Sequence, residues 1–188
     1  MDKEFKRAHL RAPLITDALY ILDEFVLKAN LLNISEGGIL VDNLPRVPEI
    51  AAIPLMFPLI DYPEFSQLHA DILLALNIQQ LEKRVIRTKA RIVRSFEGQS
   101  DVDKIFITKI GCQFVVCSDE DRELISQYVS RYGKNLIYYL GLFEGRGQKS
   151  GNLDVLRKVA DLLGYDSTMQ IGMLRLKALH DYQSLESL

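Results

Sequence analysis

Cysteine is scarce in this chain: Cys112 and Cys117 are the only two among 188 residues. Two thiols make no disulfide framework, and their spacing is neither a metal-binding nor a redox pair. On one strand, an odd separation would set them on opposite faces, which argues against a bridge between them. The expectation is two partly buried thiols in a cytoplasmic protein. Histidine is scarce too. His9, His69 and His180 are scattered without ligand spacing, so no metal and no cofactor are expected. Neither sign of charge is in excess: 23 Lys and Arg stand against 25 Asp and Glu, a formal net charge of −2. A general DNA or RNA binder would carry a basic balance. Long hydrophobic runs are also missing. The longest, from Ile50 to Ile60, contains two prolines and is about half the roughly 20 residues of a membrane span. The charged start, Met1 to Arg7, has no apolar stretch after it and does not read as a signal peptide. No acid–base pair, nucleophile or Gly-rich phosphate loop ending in Lys-Ser/Thr is present, so an enzyme is not the expected class.

What is present suits a globular chain able to bury a sizeable core: 48% of residues are hydrophobic and 26% charged. Its length allows one large domain, or one domain with an extension. Residues 1–13 read as a polar arm that is extended by Arg11-Ala12-Pro13, because the residue before a proline is pushed towards the β region. Between Leu14 and Val41, short apolar runs alternate with turns, the pattern of successive antiparallel strands. Asn33-Ile34-Ser35-Glu36-Gly37-Gly38 is one of those turns, and its adjacent glycines permit positive φ or a close backbone approach.

Five of the six prolines fall in residues 44–67, interleaved with large apolar side chains. That density argues against a central strand and against a regular helix. The expectation is an apolar loop that packs over the fold or offers a partner surface. Leu68 to Ile78 alternates apolar and polar positions and reads as a strand. Val85 to Phe96 reads as the next strand. Six basic residues run from Lys83 to Arg94, serving either as a solvated guard against edge pairing or as positive potential for an anion. Residues 97–101 read as a turn and Lys104 to Cys117 as a strand, with Gly111 marking a bulge or a close approach.

Helices take over in the last third. Ser118 precedes three acidic residues, which suit a helix N-terminus. Leu124, Ile125, Tyr128 and Val129 form an apolar stripe, and Gly133 is expected to close this helix. Residues 134–188 form a helical extension: an apolar segment from Asn135 to Phe143, a loop over 145–151, a helix from Asn152 ended by Gly164, and a final helix. Ser167 to Gln170 has capping-box spacing ahead of that last helix.

One set of short motifs ties the N-terminal half together. Arg7 and Arg11 are separated by three residues, and the spacing Asn33-x-Ser35-x-x-Gly38 follows about twenty residues on. On a helix or in extended chain, the two arginines can converge on one ligand. With Ala12-Pro13, Ile110-Gly111-Cys112-Gln113-Phe114 and the Ser118 to Leu124 segment, this ordered set resembles the PilZ domain family over about residues 3–133.

The resemblance implies a mainly β fold: a six-stranded antiparallel PilZ-type β-barrel over 1–133 followed by a helix, with the 134–188 helices appended. It also implies a receptor for the bacterial second messenger cyclic di-GMP, with Arg7 and Arg11 clamping the ligand. Asn33 and Ser35 would meet the edges of a guanine, and Gly38, helped by Gly37, would allow close backbone approach. Lys6 would add a phosphate contact. Guanidinium suits this role because it can pair bidentately with guanine O6 and N7, stack on a purine, and pair with phosphate. The expected output is a conformational change passed to an unidentified protein through the 44–67 loop or the 134–188 tail, the apolar tail also allowing a homodimer. The alternative is a protein–protein interaction module that works without the nucleotide.

Overall fold

The computed structural model describes residues 9–42, 44, 52–99, 106–145 and 151–186. Six antiparallel strands close into a barrel: β1 (Ala12–Leu22), β2 (Phe25–Ser35), β3 (Gly38–Asp42), β4 (Ile53–Ile60), β5 (Lys83–Gln99) and β6 (Phe106–Val116). Around the barrel they run β1-β2-β3-β6-β5-β4, and β4 pairs back onto β1. Alternation explains the closure. Ala18, Tyr20 and Leu22 of β1 point inward with Ile53, Leu55, Phe57 and Leu59 of β4, and all are buried. Closing the ring gives each of the six strands two neighbours, so none is a terminal edge strand.

Residues 53–60 are therefore a strand, not loop, despite Pro54 and Pro58. The β5 ladder runs unbroken through both prolines, from Ile53↔Ala90 to Ile60↔Lys83. Proline lacks an N–H, so the missing donors face β1. There the ladder shrinks to Leu19↔Met56 and Tyr20↔Leu55, both lying between the two prolines. The other prolines of the expected loop's first half, Pro45 and Pro48, lie outside the described residues.

Leu68 to Ile78 is not a strand. Single 3₁₀ turns at Phe65–Gln67 and Ile78–Gln80 flank a short helix, α1 (Ala70–Ala75). The apolar alternation there is not a buried face: Leu73 is fully buried, while Ile72 and Leu74 are exposed. Residues 97–99 of the turn expected at 97–101 belong to β5, which continues to Gln99, and the rest of that turn lies outside the described residues. The bulge foreseen at Gly111 lies on the partner strand. The ladder steps from Ile92↔Cys112 to Arg94↔Gly111, leaving Val93 as the extra residue.

α2 (Asp119–Glu144) starts where expected, with Ser118 Oγ accepting from Asp121 N at 3.1 Å. It does not stop at Gly133. Its buried stripe, Ile125, Tyr128, Val129, Tyr132, Leu136 and Tyr139, keeps helical spacing straight across that glycine. α2 thus carries the chain off the barrel and into the helical extension without a break. α3 (Gly151–Leu162) follows and ends at Gly164, whose φ is +84°. Gly164 N donates to Asp161 O and Tyr165 N to Ala160 O, the paired bonds of a Schellman cap. The loop expected before α3 lies largely outside the described residues. The capping box placed at Ser167 to Gln170 does not open the last helix, because α4 (Ile171–Glu186) begins after it. Asp166 instead holds Thr168 through both its N and its Oγ1.

Aromatic rings line the contact between barrel and extension. Tyr62 packs 6.0 Å from Tyr128, Tyr128 lies 6.3 Å from Tyr132, and Tyr139 stacks on Tyr165 at 5.8 Å. Asn135, fully buried, fastens α2 to the segment after β4. Its Oδ1 accepts from Phe65 N at 2.8 Å and its Nδ2 donates to Pro63 O at 2.9 Å. No helix among the described residues is long and apolar enough to cross a membrane.

Candidate functional site

Two segments far apart in sequence meet at one end of β1. The first β1–β2 pair is Ala12↔Ile34, followed by Pro13↔Asn33. Arg11 directly precedes that first pair and Ser35 directly follows it, so the arm and the β2–β3 turn leave the barrel side by side. Arg11 is exposed. Arg7 and Lys6 lie outside the described residues.

Period-two alternation puts Asn33 and Ser35 on one face of β2, opposite the fully buried Ile34. Asn33 sits between Pro13 on one side and Leu40 on the other. A register shift between Leu31 and Asn33 in the β2–β3 ladder falls beside it. Ser35 is largely buried, and its hydroxyl donates to Gly38 O at 3.2 Å across the turn.

The two glycines serve close approach, not positive φ, since neither takes a left-handed conformation. A Cβ on Gly38 would lie 2.1 Å from the carbonyl oxygen of Cys112 on β6, where β3 runs at Gly38↔Gln113 and Ile39↔Cys112. A Cβ on Gly37 would come 2.9 Å from His9 Cδ2 of the arm. Gly37 O also accepts from Phe114 N at 3.1 Å, which ties the turn to β6. Cys112 itself faces the core, and burial pushes its thiol up to about 11, far from nucleophilic at neutral pH.

The structure adds residues that the motif did not single out. Glu36, at the tip of the turn, accepts from Ser126 Oγ of α2 at 2.9 Å, and its other oxygen lies 3.7 Å from His9 Nδ1. Tyr128, two residues further along α2, donates its hydroxyl to Pro13 O at 2.7 Å. The arm, the turn and α2 are therefore tied at one end of the barrel. Glu36 and Ser126 are 90 positions apart and Tyr128 and Pro13 are 115 apart, so no local pattern could have paired them.

A family model described as the PilZ domain matches residues 5–131. Among solved structures, the chain is similar to the inhibitor of motility of Bacillus subtilis, MotI/DgrA, at 18% identity and a TM-score of 0.46. That match covers 67% of this chain and 50% of the other. It is also similar to the PilZ domain with c-di-GMP of YcgR from Escherichia coli, at 16% identity and 0.42, over 66% of this chain and 88% of that one. The MrkH–c-di-GMP complex of K. pneumonia matches at 13% identity and 0.39, over 76% and 56%. The match thus spans about half the length of the Bacillus and Klebsiella proteins. No curated protein sequence matches.

Proposed function

Because the chain belongs to the PilZ domain family, its model matching residues 5–131, we propose that it is a cyclic di-GMP receptor and effector. The nucleotide sits between the arginine arm and the β2–β3 turn. The observation that carries this reading is the meeting of Arg11 with Asn33, Ser35 and Gly38 at one end of β1. In this reading Arg7 and Arg11 grip guanine and phosphate, while Asn33 and Ser35 meet the polar edge of a base. Gly38 and Gly37 keep the turn low enough for the ligand to approach, and Lys6 supplies a phosphate contact. The chemistry is binding without catalysis.

The output is a change of conformation. Ligand binding repositions the arm against the barrel, and the ligand biases that equilibrium by its differential affinity for the two states. The bonds from Glu36 to Ser126 and from Tyr128 to Pro13 support α2 as the element that feels the change. Residues 1–133 are then the receiving part and 134–188 the transmitting part, joined without interruption by α2.

Titration calorimetry with cyclic di-GMP tests the reading. Each of Arg7→Ala and Arg11→Ala is expected to weaken binding by about 1–3 kcal/mol, roughly 5- to 150-fold. No binding by the intact chain, or undiminished binding by the double variant, overturns the proposal. Either result would leave a nucleotide-independent interaction module as the reading to pursue.

A further inference from the structure

The outer face of the β1–β4 seam carries large apolar side chains that neither the core nor the proposed nucleotide site uses. Leu19 and Ile21 of β1 point outward between buried Ala18, Tyr20 and Leu22, and Met56 of β4 stands directly opposite Leu19. Across the β1–β2 hairpin, Ile21 pairs with Val26, and Phe25 stands at the tip. Val26 is 64% exposed and Phe25 66%. Cross-strand register joins Met56, Leu19, Ile21 and Val26 into one strip on the outer face, and Phe25, paired with buried Leu22, lies at its end on the other face of the hairpin.

The strip runs down to a groove where β1 meets the helical extension. Two adjoining cavities there, of about 250 and 440 Å³, share Pro13, Ile15, Tyr132, Leu163 and Gly164. Ile15 is 80% exposed at their common wall. The larger cavity reaches exposed Leu176 of α4, and the smaller reaches Ile60 of β4.

One long edge of the strip is cationic. β5 sets Lys89 opposite Pro54, Arg87 opposite Met56 and Lys83 opposite Ile60, all three exposed. Strand geometry spreads them over about 20 Å. No ion pair among the described residues engages Lys83, Arg87 or Lys89.

We propose that this face docks another protein through an acidic amphipathic segment. Its apolar side chains lie on the β1–β4 strip, one of them anchored in the groove, and its carboxylates run along β5. Charge decides among the occupants. A second copy packed on the same face would bring Asp17, already held by Lys28 at 2.8 Å, and more cations. An anionic membrane would meet the exposed carboxylates of Asp23 and Glu24 beside Phe25 at the hairpin tip. The strip and its cationic edge lie apart from the nucleotide site, which the groove adjoins at Pro13, so docking is tested without nucleotide.

Two synthetic peptides of about sixteen residues serve as probes. They share one leucine stripe and carry either glutamate or lysine beside it. With the full-length ¹⁵N-labelled chain, the glutamate peptide is expected to bind saturably, to shift amides of β1, β4 and β5, and to weaken as salt rises. Leu19→Asp with Met56→Asp should reduce binding at least tenfold. Arg87→Glu with Lys89→Glu, which leaves the apolar strip intact, should do the same. Equal binding of both peptides, binding of neither, or shifts confined to other elements overturns the proposal. So does a dimer in sedimentation, or flotation with phosphatidylglycerol vesicles, that Leu19→Asp abolishes.

Discussion

Asn135 and Tyr139 sit one turn apart on α2, both fully buried, and they illustrate opposite costs of a polar atom in a core. The Asn135 amide uses both ends, on Phe65 N and Pro63 O. Asn135→Ala strands both backbone groups away from water, so a loss of about 2–4 kcal/mol is expected. The Tyr139 hydroxyl is buried with no hydrogen-bond partner among the described residues. Tyr139→Phe keeps the ring on Tyr165 and removes that burden, for an expected gain of about 1 kcal/mol. Urea denaturation of the two variants checks both signs at once. A tyrosine variant that loses stability would mean that its hydroxyl has a partner after all.

Among the elements, the tightest seam is the one between β3 and β6 at the motif glycine. A Cβ at Gly38 would collide with backbone, the Cys112 carbonyl, which cannot move without the strand. At Gly37 the obstacle is the exposed His9 ring, which can rotate away. Gly38→Ala is expected to cost about 3 kcal/mol or more, and Gly37→Ala well under half of that. Thermal melts of the two variants decide, and comparable losses would contradict this assignment of roles.

The same elements show what the sequence could reveal. β1, β2 and β3 were legible because each alternates with one face truly buried. The closed barrel was legible only through the family resemblance that the ordered spacing of Arg11, Asn33, Ser35 and Gly38 carries. β4 was hidden because proline density argues against a strand only when the missing donor is needed, and Pro54 and Pro58 face the side where the ladder is short. Leu68 to Ile78 misled because alternation in a sequence does not say whether either face is covered. Gly133 misled for a related reason: the stripe on both sides of it packs, and that packing outweighs one helix-weakening residue. His9, Glu36 and Ser126 had no signal at all, since their link exists only after folding.

At the scale of the molecule, buried acids set the alkaline limit. Burial pushes Tyr62 and Tyr139 up to about 12 and Cys112 up to about 11, and raises Tyr128, Tyr132 and Tyr165 as well. In each case the folded chain holds its proton more tightly than the unfolded chain does, so the stability gained is complete below the unfolded values. It is lost as pH rises past them, from about 8.5 for cysteine and about 10 for tyrosine. The urea midpoint is expected to vary little on account of these groups up to about pH 8.5 and to fall steeply above about pH 10. A midpoint that holds to pH 11 would contradict the coupling.

The ring contacts along α2 also give the protein a built-in optical gauge. The chain has eight tyrosines and no tryptophan, so tyrosine dominates its near-ultraviolet absorption and emission. Five of the eight lie where the barrel, α2 and the α3–α4 connection touch: Tyr62 and Tyr128 bridge the first contact, Tyr132 follows, and Tyr139 with Tyr165 bridges the last. A near-ultraviolet circular dichroism spectrum therefore records, without any label, whether the helical extension is seated on the barrel. The same spectrum, followed during a nucleotide titration, would register any signal that travels along α2.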